Sequence, residues 1–142
     1  MYYESVFIFS GQLTEKAAND KFIEFKSVIE KSGAKILRNE IPSKKVFEND
    51  DVYAFKDINP QAPVHVVIIP KKEFCSLNDF SSNASDKTII AIMRSINEIA
   101  DILELNDGYR IISNVGKVGG QEVPHFHIHM LGGTSLGRII GS

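Results

Sequence analysis

Near its C-terminal end the chain reads HFHIHML, His125 to Leu131, which places three of the four histidines at every second position. Imidazole attacks phosphorus well when neutral, and an ordinary pKa of about 6.5 keeps much of it neutral at pH 7. The alternation matters because successive side chains of a strand point to opposite faces. On a strand, His125, His127 and His129 share one face, while Phe126, Ile128 and Met130 share the other and can fill a core. Just upstream stands Gly119-Gly120-Gln121-Glu122. Glycines there let main-chain N–H groups come close to an anion. Asn114 adds an amide donor. The fourth histidine, His65, lies in VHVVII on one face with Val67 and Ile69.

Such a cluster has several readings. The plainest is a set of satisfied sheet histidines with no chemistry, but buried polar groups are rarely gathered without partners. An affinity-tag remnant does not fit an internal segment that alternates with apolar residues. A zinc site suits His-x-His on a strand, yet Glu122 is the one carboxylate close by and there is no C-x-x-C, so the ligand set is incomplete. Nucleophilic catalysis by histidine uses all the features together. One imidazole attacks phosphorus, while main-chain donors and a second histidine hold the charge. That reading leads, as covalent chemistry at phosphorus, and the metal site stays open behind it.

Those residues need elements to position them. Tyr3 to Phe9 reads as a strand. Thr14 can cap a helix whose stripe is Ala18, Phe22, Phe25 and Ile29, with Gly33 ending it. Val46-Phe47 and Val52 to Phe55 read as strands around Glu48-Asn49-Asp50-Asp51. Val64 to Ile69 is a β-branched strand stopped by Pro70. Ser85 or Asp86 can cap a long helix to about Leu105, with Ile89, Met93, Ile96, Ala100 and Leu103 as its buried stripe. Asn106-Asp107-Gly108 turns the chain into a strand from Tyr109 to Ser113. Gly116 to Gly120 is a loop, and Val123 to Leu131 a last strand. Strands around a long helix predict an α+β domain with a mostly antiparallel sheet.

The bulk numbers bound the rest. The chain has 142 residues and is 43% hydrophobic, which suits a compact domain with a sizeable core. Sixteen basic residues against eighteen acidic ones give no basic excess for a nucleic-acid backbone. A single cysteine, Cys75, allows no internal disulfide and fits a reducing, cytoplasmic setting. No apolar run approaches a membrane span of about 20 residues. MYYESVFIFSGQ lacks a positive leading region and makes a poor signal peptide.

HFHIHML also matches the histidine-triad (HIT) pattern, His-φ-His-φ-His-φ-φ with φ apolar. FENDDVYAFKDINPQAPVHVVIIPKK, Phe47 to Lys72, and NVGKVGGQEVPHFHIHMLGG, Asn114 to Gly133, resemble the Hint branch of that superfamily, the purine nucleoside phosphoramidases. The resemblance spans about Lys35 to Gly137 and implies a HIT-like fold. It implies cleavage of the P–N bond of AMP or GMP amines, and of acyl adenylates, through a nucleotidyl-histidine. His127 would be the nucleophile. His125 would orient it, His129 would contact the phosphate or leaving group, and His65 would support the triad from a neighbouring strand. Asn114, Gly120, Gln121 and Glu122 would lie on the phosphate or leaving side. Asp57 would accept from the ribose hydroxyls, and Phe55, Ile58, Ile36 and Ile41 would wall the base. The family forms homodimers with one continuous sheet, and no metal, nucleic acid or membrane is implied. Two alternatives stay open: a dinucleoside polyphosphate hydrolase of Fhit type, and a nucleotide-binding module with vestigial activity. LGG after the triad and the DINPQAP loop favour the Hint branch.

Residues 1–34 read as an added strand-helix unit ahead of a HIT domain at 35–142. YYESVFIFSGQLTEKAANDKFIEFKSVIEKSGAKI resembles the opening β-α unit of ribosomal small-subunit protein six. Where HIT members carry an apolar stretch that touches the base, this chain has Ser32-Gly33-Ala34, which implies a rebuilt base pocket.

Overall fold

A computed structural model of the protein describes residues 44–141. The strand and helix expected before Ser32, the division at residues 34 and 35, and the wall residues Ile36 and Ile41 lie outside them. The described elements are β1 (Lys45–Glu48), β2 (Val52–Lys56), β3 (Val64–Pro70), α1 (Leu77–Asn83), α2 (Asp86–Ile102), β4 (Tyr109–Ile112) and β5 (Ile128–Gly132). The strands form one antiparallel sheet in the order β1-β2-β3-β5-β4. This is the α+β architecture expected from the sequence.

Local chemistry explains the elements. The β1–β2 turn closes on Asn49, whose Oδ1 accepts from the N–H groups of Asp51 at 2.9 Å and Val52 at 2.8 Å. Val52 and Ala54 of β2, Val66 and Ile68 of β3, and Ile128 and Met130 of β5 present one apolar face. Phe74, Phe80, Ile92 and Ile99 join them in a single core, with Phe126 just ahead of β5. The rings of Phe80 and Phe126 stack with centroids 4.4 Å apart. As expected, the apolar side of the histidine segment fills the core.

Helix α2 differs from its expected form in two ways. Its buried residues are Thr88, Ile92, Ser95, Ile99 and, as expected, Ala100, while Met93 is 62% exposed. Ile89, Ile96 and Leu103 flank them as partly buried neighbours. Two small polar residues lie on the packed face because their hydroxyls are satisfied there: Thr88 Oγ1 accepts from Ser85 Oγ at 3.0 Å and donates to Asp51 Oδ1 at 3.3 Å. Ser95 Oγ donates to the Ile92 carbonyl at 2.7 Å. At its start the helix is capped as expected by Ser85, whose Oγ accepts from the Thr88 N–H at 3.1 Å.

The helix also stops at Ile102 rather than Leu105. Glu104 takes the left-handed conformation with φ 55°. Its N–H donates to the Asp101 carbonyl at 3.1 Å, and the Leu105 N–H reaches back to Ala100 at 3.0 Å. This pairing closes the helix end and tucks Leu105 into the core. A residue with a Cβ is strained there, at a cost of about 1 kcal/mol. Glu104→Gly is therefore expected to raise the urea midpoint, by about 0.5–1 kcal/mol of stability. An unchanged midpoint would mean that the strain is already relieved by the surroundings.

Two further differences concern the site. The short helix α1 was not expected; Ser76 caps it by accepting from the Asp79 N–H at 3.2 Å. The last strand is Ile128–Gly132, not Val123 to Leu131. Strand β3 pairs Ile68 with Ile128. Two residues on, Pro70 would face Phe126, and proline has no N–H to continue the ladder. The Phe126 N–H donates instead to the Phe74 carbonyl at 2.7 Å. Side chains still alternate through this stretch, so the histidine face persists where the ladder does not.

Candidate active site

His125, His127 and His129 are all buried, on the side opposite Phe126, Ile128 and Met130. His129 lies on β5, and His65 approaches it from the adjacent β3. Main-chain groups of fixed polarity decide where the protons sit. The His127 Nδ1 lies 2.7 Å from the His125 carbonyl oxygen. A carbonyl only accepts, so Nδ1 carries the proton and Nε2 the lone pair. The Gln61 N–H donates to His65 Nδ1 at 3.0 Å. An N–H only donates, so the proton of neutral His65 is on Nε2. That nitrogen lies 3.1 Å from His129 Nδ1, which must accept. His129 then carries its own proton on Nε2. The rings of His127 and His129 meet edge to face, with centroids 5.0 Å apart. The arrangement pairs a lone-pair nitrogen on His127 with a donor N–H on His129.

Burial keeps the supporting rings neutral. Desolvation, reinforced by His129, pushes the His65 pKa down to about 3. Desolvation, reinforced by His127, takes His125 down to about 4, against the opposing effect of the Pro70 carbonyl. His125 thus aligns His127 through its main-chain carbonyl, while its ring stays buried and uncharged.

The remaining expected residues divide. Asp57 is buried at the end of β2, with Oδ1 accepting from the Asn59 N–H at 2.8 Å and Oδ2 3.4 Å from His65 Nε2. Phe55 is buried on β2 opposite Val67 of β3, and Ile58 is 40% exposed in the loop that follows. Asn114 and Glu122 are half-buried at the ends of the glycine loop. That loop borders a cavity of about 810 Å³, which Cys75, Lys117, Gly120, Gln121 and Glu122 help to line.

Within the loop, the Gly120 N–H donates to Lys117 at 3.1 Å and the Gln121 N–H to Gly116 at 2.9 Å. Those two amides close the loop rather than stand open for an anion. A Cβ on Gly119 would collide with the Val115 carbonyl oxygen, and Gly120 has φ 83°, so the tight turn requires both glycines. The Gln121 side chain works as a staple. Its Oε1 accepts from the Gly116 N–H at 3.1 Å, and its Nε2 donates to the Cys75 carbonyl at 2.7 Å and to Val123 at 3.0 Å.

The donors of Asp57, His65 and His129 lie within 4.8 Å of one another. That spacing could suit a metal, and Asp57 supplies the carboxylate that seemed missing. The hydrogen bonds oppose it. A ligating histidine normally donates its second ring N–H outward, whereas the second nitrogen of His65 accepts from Gln61. The nitrogen facing the cluster therefore carries a proton, and the group is joined as a hydrogen-bond chain.

Sequence reasoning missed two supports. One is the Gln61 N–H, invisible because any residue but proline carries one. The other is Ser113, whose Oγ donates to the His127 carbonyl at 2.9 Å. The β4–β5 ladder ends at Ile112 and His129, and the hydroxyl extends its grip to His127. Ser113→Ala should leave that carbonyl without this donor, cost about 1–2 kcal/mol, and slow any reaction at His127 several-fold. Ser113→Thr should restore the bond. A turnover and melting temperature equal to wild type in the alanine variant would show that water replaces the hydroxyl.

Fold and site together define a sheet that presents a histidine triad, and residues 38–136 match the HIT domain family model. The chain belongs to the HIT family. It is 47% identical over 108 residues to a HIT-like protein of Azospirillum brasilense, covering 75% of this chain and 88% of that one. It is 45% identical over 109 residues to a purine nucleoside phosphoramidase of Escherichia coli strain K12, covering 75% and 90%. Among solved structures it is similar to a histidine triad protein from Clostridium difficile, with TM-score 0.66 and 40% identity over 80% of this chain and 95% of that one. A HIT family hydrolase from Clostridium thermocellum gives TM-score 0.66 and 42% identity over 75% and 93%. Among the described residues no helix is long and apolar enough to cross a membrane.

Proposed function

We propose that the protein is a nucleotide hydrolase of the Hint type, acting on purine nucleoside 5′-phosphoramidates and acyl adenylates. The observation that carries this reading is the tautomer of His127, with Nδ1–H held by the His125 carbonyl at 2.7 Å. The relative from Escherichia coli named purine nucleoside phosphoramidase supports the substrate class. The relative titled HIT family hydrolase supports the reaction type.

In this reading His127 Nε2 attacks the α-phosphorus, the P–N bond breaks, and the leaving amine takes a proton from His129 Nε2. The nucleotidyl-histidine carries positive charge on its ring, and the Nδ1–H bond to the carbonyl strengthens as that charge develops. Water then attacks phosphorus and returns its proton to His129 Nε2, the bond to His127 Nε2 breaks with the electron pair going back to that nitrogen, and the nucleoside monophosphate leaves. Asn114 and the glycine loop would border the phosphate, Phe55 and Ile58 the base, and Asp57 the ribose. Ile36 and Ile41 would complete the base wall. No metal enters these steps. Strand β4, at one edge of the sheet with Ile111 exposed, is the place where a second copy would extend it. A reducing, cytoplasmic setting suits the exposed free thiol of Cys75.

The test is rapid-quench mass spectrometry of the intact protein with adenosine 5′-phosphoramidate. The expected result is a transient adduct of AMP mass, followed by free AMP. Turnover of a dinucleoside polyphosphate but not of the phosphoramidate would move the protein to the Fhit type. Nucleotide binding without turnover of either would leave a binding module.

A further inference from the structure

Beyond any contact with a ribose, the Asp57 carboxylate is placed to act on the histidines. Its side chain and that of His65 are each 1% exposed, and Oδ2 lies 3.4 Å from His65 Nε2. Oδ1 is fixed by the Asn59 N–H at 2.8 Å, so the group is held at the start of the loop and not left to swing. The His65 Nε2 beside it is the donor to His129 Nδ1 at 3.1 Å.

We infer that Asp57 is a positioning residue for the triad, acting through His65 to keep His129 in the tautomer that carries its proton on Nε2. The argument is electrostatic and geometric. His65 has two possible neutral tautomers. One puts an N–H beside the Asp57 carboxylate and aims it at His129. The other puts a lone pair beside the carboxylate and an N–H against the Gln61 N–H. Both neighbours favour the first, one by attraction and one by avoiding a clash of donors. His65 then offers a proton to His129 Nδ1, and His129 can hold its own proton only on Nε2. A buried carboxylate that selects an imidazole tautomer can matter greatly, since an amide in the same place can present an N–H and select the wrong one.

The inference rests on the proposed phosphoramidase reading for its kinetic consequence but not for its structural one, so two measurements are made on Asp57→Asn. The first is long-range 1H–15N NMR of the histidine rings in wild type and variant, which reads tautomers directly without substrate. The expected result is an Nε2–H form of His65 and His129 in wild type, and a shift of both towards the Nδ1–H form in the variant. The second is steady-state hydrolysis of adenosine 5′-phosphoramidate and of its 2′,3′-dideoxy counterpart. A positioning role lowers kcat about tenfold or more on both sugars with little change in KM.

If Asp57 serves the ribose alone, the variant loses ground on the ribose substrate through KM, matches wild type on the dideoxy substrate, and keeps its histidine spectrum. That result overturns the inference. Should the variant fail to fold, the wild-type spectrum decides: an Nδ1–H tautomer at His129 overturns it, and an Nε2–H tautomer supports it. Should wild type not hydrolyse phosphoramidates at all, the functional reading fails, and the NMR comparison still judges the role of Asp57.

Discussion

His127→Ala is expected to lose about four orders of magnitude or more in turnover of adenosine 5′-phosphoramidate, and to form no adduct of AMP mass. The size follows from the roles assigned to the triad. His127 combines a lone pair on Nε2 with a main-chain acceptor at Nδ1 that stabilises the cation formed on attack. His129 carries its lone pair on Nδ1, already accepting from His65. His129 therefore cannot take over as nucleophile through that nitrogen. The fold should survive, because the His125 carbonyl loses one bond while the core side of the segment is untouched. A variant that remains folded and retains a tenth of wild-type turnover would sink the covalent mechanism. His127→Gln separates shape from nucleophilicity: its side chain can donate to the same carbonyl but cannot form the intermediate.

The second large effect is on stability in acid. His65 and His125 fall from an ordinary 6.5 to about 3 and about 4 in the folded protein. The unfolded chain therefore binds more protons than the folded one between those values. Stability contributed by the neutral rings is complete above pH 6.5 and declines as pH falls through 6.5 towards 4 and 3. At about 1.4 kcal/mol per pKa unit, the two groups together should remove on the order of 5 kcal/mol between pH 7 and pH 4. That is a large share of what a small domain has. Urea unfolding at pH 7, 5.5 and 4 measures it. His125→Gln should flatten part of the slope. A stability that stays level to pH 4.5 would mean that water reaches these rings and that their burial is not maintained in solution.

The sequence made the histidine cluster, the hairpin around Asn49 and the long helix readable because each has a local cause. Alternation showed that Phe126, Ile128 and Met130 face away from the histidines. It could not show that the ladder starts only at Ile128, because that depends on Pro70 standing opposite Phe126 across the sheet. The centre of the α2 stripe was shifted, with Met93 on the exposed side, since Thr88 and Ser95 look polar in a string yet bury their hydroxyls, one against Asp51 and one against the Ile92 carbonyl of the helix itself. The helix end at Glu104 was hidden because the usual glycine signal is absent and a strained glutamate does the work. Within the site, residue types named the histidines, but neither Gln61 nor Ser113 could be recognised. One acts by its backbone and the other by meeting a carbonyl fourteen residues along the chain.

The protons of His127 and His65 are both directed by the main chain, one by the His125 carbonyl and one by the Gln61 N–H. Every amino acid carries that carbonyl, and every amino acid but proline carries that N–H. The wiring of the site is therefore shielded from most substitutions at the two positions that supply it. Drift at position 61 can alter the side chain freely without touching the tautomer, and proline is the single replacement that removes the donor. At position 125 a change of ring can cost stability while the nucleophile stays aligned. Robustness to mutation is thus built into the polypeptide itself at those two positions, and the burden of identity falls on the side chains: His127 and His129, which would meet the substrate, and His65 and Asp57 behind them.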